Sequence, residues 1–177
     1  MMRTNDNKEP NRKMDYIHHY VETNDIENVK YIVTSIPHLT VNAYDEKGRL
    51  PLHIALLYEY KEVVQILIDH GADPHCLDYS GSNALHCAAA SNNIQYVKLF
   101  VSMRVNLFIR NSMNLTPLGI ASYYFLEDSD NYKEVVSYLD KAIPRERLLQ
   151  FCIGLKQIIS HHDIYTKNAF RGVVSFI

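Results

Sequence analysis

Apolar and polar positions recur along the middle of the chain with a fixed period. Asp45 to Leu77 and Asp78 to Arg110 superimpose without a gap, 33 residues each. Each copy opens on Asp, places Gly three residues on, sets a Leu-His pair before a short apolar run, and continues with Val and Leu at helical spacing. Val63, Val64 and Leu67, then Val97, Phe100 and Val101, predict the apolar face of a second helix in each copy. The apolar run predicts a first helix. Pro51 stands where a helix start needs no backbone donor, and Ala55 and Ala88 to Ala90 are small enough for close packing. Gly71 is placed to end the second helix, and Gly48 and Gly81 to turn the chain after Asp45 and Asp78.

A third copy begins at Asn111 and carries Thr116-Pro117-Leu118-Gly119-Ile120-Ala121, with EVVSYL at 134–139 echoing EVVQIL at 62–67. Its two helical signals lie six residues further apart than in the first copy, which predicts an insertion around 122–132. Ahead of the repeats, Asp15 to Val21 and Asp25 to Ile36 predict a helical pair whose apolar face is Val29, Ile32, Val33 and Ile36, with Pro37 as its stop. No Leu-His pair stands there. After the repeats, Pro144 opens a predicted helix in which Leu148, Cys152, Leu155 and Ile159 share a face.

Leu50-Pro51-Leu52-His53-Ile54-Ala55 closely resembles the T-P-L-H-x-A signature of the ankyrin-repeat family, and Gly71-Ala72-Asp73 its close. Asn83-Ala84-Leu85-His86-Cys87-Ala88 repeats the signature, with Arg104-Val105-Asn106 at the close. The resemblance implies an all-α solenoid of stacked helix-turn-helix units joined by hairpin turns, with helical caps. Residues 45–77, 78–110 and 111–142 are then three repeats and 14–44 a divergent N-terminal cap. Residues 1–13 are a polar, disordered tail, and 143–177 a C-terminal helical cap with an apolar tail. The tail Tyr165 to Ile177 folds back, docks on a partner, or continues into further chain. Three positions depart from the family pattern: Glu59-Tyr60 and Asn92-Asn93 replace Gly-His between the helices, and Arg104 replaces a C-cap glycine. The Arg104 departure predicts a looser junction between the second and third repeats.

Composition narrows the function. A net charge of −2 offers no basic excess for a phosphate backbone, so no nucleic-acid partner is expected. No apolar run approaches the ~18 residues of a membrane helix, so no membrane role is expected. Met1 to Lys13 is too polar for a signal peptide, and Cys76, Cys87 and Cys152 lack metal-ligand spacing. A cytoplasmic protein with reduced thiols follows, and the tyrosine- and asparagine-rich composition suits the cytoplasm of a host cell. No catalytic residue, cofactor or metal is expected. The resemblance makes His53 and His86 structural, their rings bonded to backbone of the adjacent turn. His161-His162-Asp163 reads as solvated, because adjacent helical histidines point about 100° apart. His75-Cys76 lacks a third orienting group, and Glu127-Asp128-Ser129-Asp130 lacks the glycine and distal glutamate of an EF-hand, leaving an exposed acidic loop.

The resemblance also implies a concave protein-binding face of turn tips and first-helix ends, in a monomer acting as adaptor, inhibitor or host-targeting effector. Residue by residue, the tips are Glu46, Lys47 and Arg49, then Tyr79, Ser80 and Ser82, then Ser112, Met113 and Leu115. The helix ends are Leu57 and Tyr58, Ala90 and Ser91, and Tyr123 and Tyr124. This surface runs from charged to aromatic, and Tyr123 and Tyr124 either bind or pack under the insertion. The alternative is a substrate receptor of a ubiquitin ligase. Arg147-Leu148-Leu149-Gln150-Phe151-Cys152 faintly resembles a SOCS-type box, but Ile153 stands where a basic residue is expected and Lys156 where an apolar one is.

Overall fold

The computed structural model describes residues 12–35, 41–126 and 128–143. Pro37, Glu127, the helix expected from Pro144, the SOCS-like hexapeptide, His161-His162-Asp163 and the Tyr165–Ile177 tail lie outside the described residues. Among the described residues every regular element is an α-helix, in four consecutive pairs. These are α1 (Arg12–Glu22) with α2 (Ile26–Ser35), α3 (Pro51–Leu57) with α4 (Lys61–Asp69), α5 (Ala84–Ala90) with α6 (Ile94–Ser102), and α7 (Pro117–Phe125) with α8 (Ser129–Ala142). First helices pack in a row, α1 on α3, α3 on α5 and α5 on α7, while α2 packs on α4 and α6 on α8. The chain is thus the helical solenoid that the repeat pattern implied.

The small first-helix residues work as the spacing required. Ala55, Ala88 and Ala121 are fully buried, and the second helices lay Val63, Val64, Leu67, Val97, Phe100, Val135 and Leu139 against them. Pro51 and Pro117 open α3 and α7. Asn83 and Thr116 cap α5 and α7 by accepting the N–H groups of His86 and Gly119. Leu50 holds the equivalent place at α3 and makes no side-chain cap.

The insertion lengthens both helices of the third repeat. α7 has 9 residues where α3 has 7, and α8 has 14 where α4 has 9. Of the segment expected as an exposed acidic loop, Asp128 to Asp130 are instead a helix start. Asp128 caps α8 by accepting the Asn131 N–H (3.3 Å), and Ser129 and Asp130 form its first turn. The extra turn leans back on the second repeat, where Asn92 donates to the Asn131 side-chain and backbone oxygens (2.9 and 3.0 Å) and Tyr132 donates to the Ala90 carbonyl (2.6 Å).

Left-handed backbone falls where glycine was missed. Glu59 and Asn92 turn between helices at φ 58 and 53, and Arg104 follows α6 at φ 60, as Gly71 follows α4 at φ 90. The helix-ending bonds match: Ala72 N–H to the Leu67 carbonyl (2.9 Å) and Val105 N–H to the Phe100 carbonyl (3.0 Å). A side chain in this region costs about 1 kcal/mol. Arg104→Gly is therefore expected to raise stability by roughly 1 kcal/mol in urea titration and to slow amide exchange beyond residue 104. Unchanged stability would show that the left-handed backbone carries no penalty here.

Candidate protein-binding surface

Three turn tips are built on one pattern. The Asp45 carboxylate accepts the N–H groups of Lys47 and Arg49 (3.0 and 2.7 Å), Asp78 accepts the Ser80 hydroxyl and the Ser82 N–H (2.6 and 2.8 Å), and the Asn111 side-chain oxygen accepts the N–H groups of Met113 and Leu115 (3.0 and 3.1 Å). Gly48, Gly81 and Asn114 complete the turns at φ 71, 74 and 60. The tips are tied in a row by Tyr79 N–H to the Gly48 carbonyl (3.0 Å) and Ser112 N–H to the Ser80 carbonyl (2.7 Å).

Buried histidines fasten each row member to the helices behind it. The His53 Nε2 bonds the Ser82 carbonyl (2.9 Å), and the His86 Nε2 bonds the Ile109 and Leu115 carbonyls (both 3.2 Å). His18 does the same one unit earlier, bonding the Ala43 and Arg49 carbonyls (3.0 and 3.1 Å). Sequence reasoning missed His18 because it sought a Leu-His pair; Ile17-His18 takes that place. The rings differ at Nδ1. That of His86 accepts the Asn83 N–H (3.1 Å) in a reciprocal capping box, whereas that of His53 is buried without a hydrogen-bond partner.

The expected binding residues fall into three groups. Glu46, Lys47, Ser80 and Met113 are exposed at the tips, and Leu115 is half-buried. Tyr79 is 75% exposed, yet its ring root is held against Gly48, where an added Cβ would sit 1.9 Å from the ring, and the Tyr44 ring lies beside it at 5.2 Å, tilted by 37°. Leu57, Tyr58, Tyr123 and Tyr124 are exposed at the helix ends, with Tyr124 stacked on Tyr132 at 5.5 Å. Arg49 is engaged within the chain instead: its guanidinium bridges Asp45 and Glu22, both at 2.6 Å. Burial opposes ionisation of Asp45, but the Arg49 hydrogen bonds and charge outweigh it and hold the carboxyl below its ordinary range.

Two patterns describing ankyrin repeats match, one of three copies over residues 2–78 and one of many copies over residues 58–101. The chain belongs to the ankyrin-repeat family. An ankyrin repeat protein of fowlpox virus (strain NVSL) is 31% identical over 109 residues, 60% of this chain and 18% of that protein. One of Rickettsia bellii (strain RML369-C) is 35% identical over 86 residues, 48% of each chain. The E3 ubiquitin-protein ligase KEG of Arabidopsis thaliana is 45% identical over 64 residues, 36% of this chain and 4% of that protein. The match thus spans under half the length of each relative. Ankyrin repeats generally mediate protein–protein interaction.

The remaining chemistry of this ankyrin-repeat chain is muted. Burial, with the Asp73 charge and hydrogen bond, pushes the Cys76 thiol up, and burial does so far more for Cys87, so neither is poised as a thiolate. Among the described residues no group of three His, Cys, Asp or Glu side chains could hold a metal ion, and no helix is long and apolar enough to cross a membrane.

Desolvation pulls both His53 and His86 below the ordinary histidine value of 6.5. A ring with a lowered folded pKa takes up a proton on unfolding. Its contribution to stability is complete above 6.5 and is lost as the pH falls below it. The urea midpoint is expected to drop between about pH 7.5 and about pH 5.5, and His53→Gln to flatten that drop. An equal drop in the variant would assign the pH dependence elsewhere.

Proposed function

We propose that this ankyrin-repeat chain is a non-catalytic, monomeric interaction module that binds a protein partner on the concave face. The face runs from the turn tips at 45–49, 78–82 and 111–115 to the first-helix ends at Leu57, Tyr58, Tyr123 and Tyr124. One observation carries the reading. Tyr79 and Met113, 75% and 65% exposed, project from tips that backbone hydrogen bonds hold in one rigid row. Large, pre-ordered apolar side chains at the surface supply contact area with little entropy left to lose, the property of interface anchors.

The module acts as an adaptor, an inhibitor or a host-targeting effector, and the viral relative favours the last. Free Cys76 and Cys87 accord with a reducing, cytoplasmic compartment. The ladder rings of His53 and His86 are committed to backbone carbonyls, which supports the non-catalytic role.

Affinity capture from cell lysate, read by mass spectrometry, compares the wild-type chain with Tyr79→Ala and Met113→Ala. Each substitution is expected to weaken the captured partner by more than ~1 kcal/mol, about five-fold or more in Kd, with the helical content unchanged. A partner held equally by both variants and wild type would move the site off the tips.

A further inference from the structure

The far end of the concave face carries a second built feature, present in two of the four helix pairs. Tyr60, just before α4, donates its hydroxyl back to the Glu22 carbonyl at the end of α1 (3.4 Å). Tyr132, in the first turn of α8, donates to the Ala90 carbonyl at the end of α5 (2.6 Å). Each anchored ring is stacked by another tyrosine: Tyr58 on Tyr60 at 5.6 Å and 18°, and Tyr124 on Tyr132 at 5.5 Å and 24°. An exposed carboxylate sits within each stack along the chain. Glu59 lies between Tyr58 and Tyr60, turned out at φ 58. Asp128 lies between Tyr124 and Tyr132, its N–H on the Tyr124 carbonyl (3.0 Å) and its carbonyl accepting the Tyr132 N–H (3.3 Å). The repeat between them has Ser91 and Asn93 at the equivalent positions, so one repeat without this tyrosine pair separates two similar platforms.

We propose that these two tyrosine–carboxylate platforms receive two basic side chains, arginine or lysine, from a single segment of the protein partner. The proposal rests on the concave-face reading above and names the chemistry of its occupant. A cation is drawn to the negative face of a tyrosine ring, and more strongly where a carboxylate can also accept its hydrogen bonds. Rings already tied by a hydroxyl bond and a stacking partner lose little freedom on binding. Neighbouring helices pack roughly 8–10 Å apart, which sets platforms two repeats apart at about 20 Å. An extended segment covers that distance in about six residues. Ala90 and Ser91, small and half-buried, let it pass close over the end of α5. The cations next in the chain, Lys61 and Lys133, start or join the second helices, and Lys133 lines the cleft between α6 and α8.

The test titrates the ¹⁵N-labelled full chain with three Gly/Ser peptides. One carries two arginines about six residues apart, one a single arginine, and one two glutamates in place of the arginines. The two-arginine peptide is expected to shift the Glu59 and Asp128 amides together, and to bind at least ~10-fold tighter than the single-arginine peptide. Glu59→Gln with Asp128→Asn, which keeps a competent helix cap, is expected to remove that ten-fold advantage. Equal binding of the glutamate peptide, shifts confined to other residues, or an unchanged advantage in the double variant would each overturn the proposal. The captured partner separates this failure from failure of the underlying reading. Retention by the Glu59→Gln/Asp128→Asn chain with loss by the Tyr79→Ala chain rejects the basic segment and keeps the concave face. Retention by both rejects the two together.

Discussion

The structure depends on one repeated interaction, a buried imidazole N–H given to the carbonyls of the next turn. His18, His53 and His86 each tie a first helix to the hairpin that follows. That bond fastens each turn tip to the helices behind it. With it, the tips register against one another closely enough for Tyr79 N–H and Ser112 N–H to reach carbonyls of the preceding tip. The bond is strong because it is buried, and for the same reason burial disfavours the charged form of His53 and His86. The rings differ in their second nitrogen: the His86 Nδ1 accepts the Asn83 N–H, and the His53 Nδ1 is buried without a partner.

A second set of ties works at the opposite end of the first helices. Tyr60 and Tyr132 close orphan carbonyls at the ends of α1 and α5 from the following repeat, while stacking on Tyr58 and Tyr124. Aromatic residues that look from composition like free binding groups thus divide in two. One ring of each stack is structural, and its neighbour is presented to solvent because the first holds it there. Tyr79 follows the same logic at the tips, where glycine at 48 leaves room for its ring.

The insertion shows how helical repeats absorb added residues. Six extra positions could have formed a loop, and the run of acids looked like one. Instead α7 and α8 both lengthen, because Asp128 is a good cap and Asp130 in the first turn complements the helix dipole. The longer α8 then reaches Asn92 and Ala90, so the added turn strengthens the junction on the second repeat.

By itself the sequence determined the repeat period, the helix pairs, the buried small residues and the positions needing left-handed backbone. All of these follow from spacing and local stereochemistry, as Pro51, Ala88 and Arg104 illustrate. It placed the tip residues too, since each belongs to one turn. Tertiary structure decided which surface residues are already engaged. Arg49 stands in the tip pattern, yet Glu22 claims it from across the array. His18 lacks the motif, yet it meets the same carbonyl geometry as its counterparts. The two tyrosine stacks arise from bonds to the carbonyls of Glu22 and Ala90, far back along the chain. Such pairings depend on distance between repeats, which side-chain period within a repeat does not encode.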